Sequence, residues 1–176
     1  MAKVLISVDM QNDFVDAALG TKEAVAIVPA VCEEIRKDYD LVIATRDTHH
    51  EDYLETNEGK HLPVVHCIED SEGWMLNEEV GKALKERTSV RIIDKPTFGS
   101  EELVQILKEY DETEPIESIT LIGLCTDICV VTNALLVKTA FPEIPVMVKA
   151  DCCAGVTPET HEAALKTMQM CQIEII

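Results

Sequence analysis

Two cysteines four residues apart, Cys125 and Cys129, sit in the stretch GLCTDICV. Such a pair can be a metal clip, a redox couple, buried small hydrophobes, or a nucleophile with a bystander. The chain has seven cysteines and no CxxC pair, so the sequence offers no zinc knuckle, and the odd count does not suggest a disulfide framework. A nucleophilic thiol needs a base and a group that orients that base. Asp9, in VDMQNDF, ends an apolar run, a setting that lifts a carboxyl pKa toward the useful range. Lys95, in DKPTFGS, can orient the carboxylate and lower a thiol pKa. Each also has a plainer reading, Asp9 as a turn cap and Lys95 as a solvated loop lysine. A metal set is present as well. In extended chain Asp47 and His49 project to one side. With His66 they form an N,N,O set suited to zinc, iron or manganese, with positions left for water or substrate. His50 points the other way and His61 lies in the charged stretch NEGKH, so both read as surface residues.

These side chains need a frame that brings them together. Apolar runs at 3–9, 40–46, 89–94, 117–123 and 144–150 lack polar alternation, as expected of strands buried on both faces, and the tail 171–176 makes a sixth. Helical spacing follows Pro29, runs over 100–110 from a Ser100 N-cap, and covers about 126–140 and 157–170. Strands separated by helices mean βαβ units: an α/β fold, three-layered α/β/α, around a six-stranded, mostly parallel sheet. The 176 residues suit a single domain over 1–176. In such sheets ligands bind beyond the carboxyl ends of the strands. Asp9, Asp47, His49, Lys95 and the two thiols all fall at those ends. Cys129 lies in the first turn of the following helix, near unpaired N–H groups that favour thiolate and can hold an oxyanion, so position favours it over Cys125. Cys32, Cys152, Cys153 and Cys171 read as small hydrophobes. The segment 47–76 has little periodicity and holds four of the five histidines and the only tryptophan, which marks it as functional.

The formal net charge is −18, which disfavours nucleic acid and anionic membranes as partners. No run approaches the roughly 18 apolar residues of a membrane helix, and MAKVLISVD lacks the features of a signal peptide. The expected location is cytoplasmic.

VDMQNDF, ATRDTH, HC at 66–67, DKPTFGS and GLCTDICV, in this order, resemble the isochorismatase-like cysteine hydrolases, and among them the nicotinamidase-related branch. The resemblance runs out to DCCAGVTPETHEAAL and covers nearly the whole chain. It implies a catalytic Asp9, Lys95 and Cys129, with the backbone N–H groups of Cys125 and Cys129 as the oxyanion site and a cis peptide entering Cys125. It implies a divalent ion, zinc first, on Asp47, His49 and His66, and Phe14 against the substrate ring. The implied reaction is hydrolysis of a small carboxamide, nicotinamide above all, through a thioester, in a homodimer or tetramer. Two features depart from the pattern. The tryptophan expected shortly before the metal histidine is absent, with Pro63 and Val64 in HLPVVHC and Trp74 far along. A further metal-loop histidine is missing, with Glu55 or its neighbours nearby. Other readings are a hydrolase of another small amide, carbamoyl or ureide compound, and a non-catalytic, thiol-sensing oligomer on the same fold.

Overall fold

A computed structural model describes residues 1–176. Six strands, β1 (Ala2–Val8), β2 (Leu41–Asp47), β3 (Val90–Lys95), β4 (Ile116–Leu124), β5 (Val146–Ala154) and β6 (Glu174–Ile175), form one sheet of order β3-β2-β1-β4-β5-β6. Every pairing is parallel. The near-continuous apolar strands are explained by cover on both sides. Val4, Ile6 and Val8 of β1 face α5 (Glu101–Thr113), α6 (Val131–Ala140) and α7 (Pro158–Met170), while Leu5 joins Val42 and Ile122 under α2 (Lys22–Ile35) and α4 (Glu78–Lys85). Two short helices complete the set: α1 (Asn12–Val15) after β1 and α3 (Asn57–His61) inside the 47–76 excursion.

The strand order reverses between β1 and β4, where a crevice opens beyond the strand ends. Gly123 lies in this seam with φ 117°, and a Cβ there would stand 2.1 Å from the carbonyl oxygen of Val8. Only glycine tolerates both the conformation and the approach.

Four local expectations need correction. Pro29 lies inside α2, not at its start, because Thr21 caps the helix earlier by accepting the Ala24 N–H at 3.0 Å. Pro29 is exposed, so water can take the carbonyl its missing N–H leaves free. The helix after β4 opens with a π-helical turn, Thr126–Val130, in which Cys125 O accepts from both Ile128 N–H and Val130 N–H at 3.1 Å. α4, absent from the sequence reading, is capped by Asn77, whose side chain accepts from Glu79 N–H at 3.1 Å. Cys171 is exposed at the end of α7, whereas Cys32, Cys152 and Cys153 are buried. Ser100 does cap α5, accepting from Leu103 N–H at 3.0 Å.

Candidate active site

The crevice at the β1–β4 seam gathers three side chains from three strand ends. Asp9 follows β1 with φ 47°, a left-handed conformation that aspartate adopts more readily than most residues. Thr45 of β2 fixes it: the Asp9 N–H donates to Thr45 O at 3.1 Å, and the Thr45 hydroxyl donates to Asp9 Oδ1 at 2.6 Å. Lys95 ends β3 and is register partner of Asp47 at the end of β2. The ammonium is fully buried, 2.7 Å from Asp9 Oδ2, 3.4 Å from Asp47 Oδ1 and 3.5 Å from Cys129 Sγ, and it donates to Thr97 O at 3.1 Å. The approach to Asp9 Oδ2 is close but off the axis of a well-formed hydrogen bond, so it is a charge contact first. Lys95 is therefore no solvated loop lysine.

Charge in this buried cluster is set by opposing effects. Burial lifts the Asp9 carboxyl above its ordinary range, against the pull of Lys95. Burial alone would lower Lys95, but the charges of Asp9, Cys129 and Asp47 raise it. The Cys129 thiol is pushed well above its usual value by burial and then by the Asp9 charge, with Lys95 opposing. Burial thus works against the thiolate bias that the helix-terminus position favours. Desolvation and the Asp9 and Asp47 carboxylates favour the thiol form, and the Lys95 ammonium opposes them. Cys125 is raised to about 12, again by burial first. The peptide between Leu124 and Cys125 is cis.

Asn133, unremarked in the sequence, secures the turn that carries Cys129. Its fully buried amide donates to Cys129 O at 2.8 Å and Phe98 O at 3.0 Å and accepts from Ser100 N–H at 3.0 Å. One side chain thus joins the Cys129 turn to the loop that follows Lys95.

Beside this cluster lies a second one. Asp47, His49, Glu58 and His66 offer ligand atoms that all lie within 4.8 Å of one another. The excursion is folded back to make this possible. His49 N–H donates to Cys67 O and Glu69 N–H donates to His49 O, both at 2.9 Å, which lays the His66 segment alongside His49. Asp13 accepts the Cys67 N–H at 2.7 Å. Thr56 caps α3, accepting Gly59 N–H at 3.0 Å, and the Tyr53 hydroxyl donates to Leu62 O at 2.8 Å, which brings Glu58 over the two imidazoles.

The donor set fits a divalent ion. His66 Nδ1–H donates to Val64 O at 2.8 Å, so Nε2 keeps its lone pair toward Asp47, 3.5 Å from Oδ2. The buried Nε2 of His49 has no hydrogen-bond partner, although Asp47 Oδ2 lies 3.0 Å away and Glu58 Oε1 3.5 Å away. Ligands held about 2.1 Å from one tetrahedral ion lie roughly 3.4 Å apart, and the imidazole-to-carboxylate distances here run from 3.0 to 3.8 Å. Burial would lower the His49 pKa, but the Asp47 and Glu58 carboxylates push it up to about 9. Asp47 is held well below the usual carboxylate range: burial opposes this, and the two imidazoles and Lys95 prevail. The fourth donor is Glu58, not Glu55, which sits in a 3-10 turn outside the cluster.

The two clusters share a cavity of about 210 Å³. Cys125 and Cys129 line one part of it, and Asp47, Glu58 and His66 another. Phe14, as expected, is in the wall, joined by Phe98 and Leu62. Of the stretch before His66, Leu62 lines this cavity, and neither Pro63 nor Val64 does. Trp74 is elsewhere: its indole N–H donates to Thr48 Oγ1 at 2.9 Å and the Arg46 guanidinium stacks 3.7 Å from its ring centre. Gln11 ties this buttress to the site, donating to Trp74 O at 2.9 Å and Asp47 O at 2.8 Å. His50 and His61 are exposed, as their positions predict.

The sequence model of the isochorismatase domain matches residues 3–176. The chain belongs to the isochorismatase family. A nicotinamidase from Schizosaccharomyces pombe is 28% identical over 204 residues, spanning 98% of this chain and 91% of that protein. The crystal structure of a pyrazinamidase from Pyrococcus horikoshii in complex with zinc superposes with a TM-score of 0.78 at 28% identity, covering 100% of this chain and 99% of that one. A pyrazinamidase/nicotinamidase from Streptococcus mutans gives 0.85 at 27% identity, covering 99% and 100%. The fold and the hydrolase class of this isochorismatase-family chain follow, as does a candidate divalent-metal site on Asp47, His49, Glu58 and His66.

Proposed function

We propose that this protein is a metal-dependent cysteine amidohydrolase that converts nicotinamide to nicotinate and ammonia. One observation carries the reading: a single cavity of about 210 Å³ has a thiol backed by a buried acid and ammonium in one wall, and in another Asp47, Glu58 and His66, three of the four residues whose ligand atoms converge with those of His49. Cavities for drug-sized ligands run roughly 300–1,000 Å³, so this one suits one small ring with one small substituent. Phe14 and Phe98 provide apolar faces for that ring.

Asp9 takes the thiol proton as Cys129 Sγ bonds to the carboxamide carbon. The carbonyl oxygen becomes an oxyanion accepting from the N–H groups of Cys125 and Cys129. Collapse breaks the C–N bond, and Asp9 passes its proton to the departing nitrogen, releasing ammonia and leaving a thioester. Water then attacks the acyl carbon while Asp9 takes one of its protons. The C–S bond breaks and that proton returns to sulfur. The raised pKa values of Asp9 and Cys129 suit this shuttle, since a weakly basic carboxylate could not draw the proton from a buried thiol. Lys95 holds Asp9 in place and balances the charge. A divalent ion, zinc in this reading, supplies Lewis acidity toward a ring nitrogen when bound.

The reading includes residues 1–176 as one cysteine hydrolase domain, a cytoplasmic setting and a homodimer or tetramer as the working form. The net charge of −18 supports a small-molecule substrate over nucleic acid or an anionic membrane. Ammonia release from nicotinamide by purified protein, with and without chelator and beside Cys129→Ala, tests it. Release that needs both the ion and Cys129 is expected. A folded, metal-loaded protein that releases none sinks nicotinamide as the substrate and turns attention to carbamoyl and ureide compounds.

A further inference from the structure

The nucleophile turn is held from two directions. Asn133 holds it from the α6 side. From the opposite side come bonds from the loop after β5 and from α7. Val156 N–H donates to both carboxylate oxygens of Asp127 at 3.2 Å. His161 Nδ1 lies 2.8 Å from Thr126 Oγ1. Thr126 is fully buried, directly follows Cys125, and is three residues from Cys129. The His161 ring is the only side chain its hydroxyl meets in a hydrogen bond.

His161 itself is well placed and does not touch the substrate cavity. It stands in the first turn of α7, its N–H donating to Thr157 O at 3.0 Å. Its side chain lines a separate cleft with Glu23, Asp151 and Cys153. Gly155 lines both that cleft and the substrate cavity, and a Cβ on Gly155 would stand 2.9 Å from His161 Cβ. The imidazole is therefore packed directly behind the cavity wall, with one ring nitrogen on the nucleophile turn.

We propose that His161 is a positioning residue for the nucleophile. Its bond to Thr126 sets the pitch of the Thr126–Val130 turn, and with it the direction of Cys129 Sγ and of the Cys125 and Cys129 N–H groups. The role rests on Cys129 being the nucleophile, and it is exerted through Thr126 alone. It explains why a half-buried histidine on a peripheral helix spends a ring nitrogen on a buried hydroxyl.

The test compares His161→Phe, which fills the space without a polar atom, with His161→Asn, whose amide can reach the Nδ1 position. Three quantities are read: the rate of Cys129 alkylation by iodoacetamide, assigned by peptide mass spectrometry; kcat and KM for nicotinamide; and Tm. In His161→Phe, alkylation and kcat are expected to fall together by about tenfold or more, with KM within about twofold of the parent. His161→Asn recovers most of both. Parent-like alkylation in a folded His161→Phe protein overturns the proposal, as does an equal loss in His161→Asn, which marks a purely packing role. Should His161→Phe fail to fold, Thr126→Val carries the same expectation and the same refutation. Failure of the nucleophile reading is distinct: Cys129→Ala then keeps its turnover, while the alkylation comparison still decides whether His161 sets the turn.

Discussion

The thiol cluster and the imidazole cluster share a cavity but are built in opposite ways. Asp9 and Lys95 come from the ends of β1 and β3, positions set by sheet register, and Cys129 from the turn that follows β4. His49, Glu58 and His66 come from an excursion whose only regular pieces are a 3-10 turn and the five-residue α3. The first cluster is buried and tied by charge; the second is held by backbone bridges and caps, and leaves a buried ring nitrogen unpaired. Chemistry that must align atoms is placed on the sheet, whereas a site an ion can organise is left to a loop. Asp47 belongs to both, bonded to Lys95 on one side and facing the two imidazoles on the other.

The sharpest break in this comparison is Cys129→Ala, expected to lower amide hydrolysis by about 10³-fold or more while metal content stays at the parent level. Paired activity and metal assays on one preparation check it. Glu58→Gln is the converse, expected to weaken metal affinity about 10–100-fold without slowing Cys129 alkylation, by competition with a chromogenic chelator. Loss of both properties in Glu58→Gln would mean the clusters are one unit. Asn133→Ala removes the partner of Cys129 O, Phe98 O and Ser100 N–H, and is expected to cost about 1–3 kcal/mol in denaturant unfolding.

The smallest effect expected is an acid sensitivity that belongs to neither cluster. Glu34 is buried at the end of α2 and accepts from Lys37 Nζ and the Tyr39 hydroxyl, both at 2.7 Å. Burial opposes its ionisation, but these two bonds and Lys149 bring its pKa below the ordinary 4.5. Because the folded value is the lower one, the stabilisation is present above pH 4.5 and fades as pH falls through the folded value. Melting temperature against pH should therefore fall less steeply at acid pH in Glu34→Gln than in the parent. Parallel curves would assign the acid loss to other carboxylates.

Much of this was legible in the sequence for a physical reason. Strand ends announce themselves by where apolar runs stop, and a parallel sheet brings those stops to one rim, so Asp9, Asp47, Lys95 and the thiols could be grouped before any coordinates. Glu58 was not legible, because it reaches the imidazoles only through the Thr56 cap and the Tyr53–Leu62 bond, neither of which leaves a periodic trace. Phe98 was hidden for a similar reason: it follows a proline in a turn, and its place in the wall depends on Asn133 gripping its carbonyl. The upward push on the Cys129 thiol was not legible, because local position favours thiolate while desolvation is set by the whole fold. Pro29 misled for the opposite reason, since a sound local preference yielded to an earlier cap.

The chain has one tryptophan, and it hangs by its indole N–H from Thr48, the residue between the candidate ligands Asp47 and His49. A cation stacks on one face of that indole and Gln11 couples its carbonyl to that of Asp47. The molecule therefore carries a built-in fluorophore, a few bonds from the ion site and outside the substrate cavity. Its emission, followed at a single wavelength in unlabelled protein, offers a direct titration of metal uptake without any turnover.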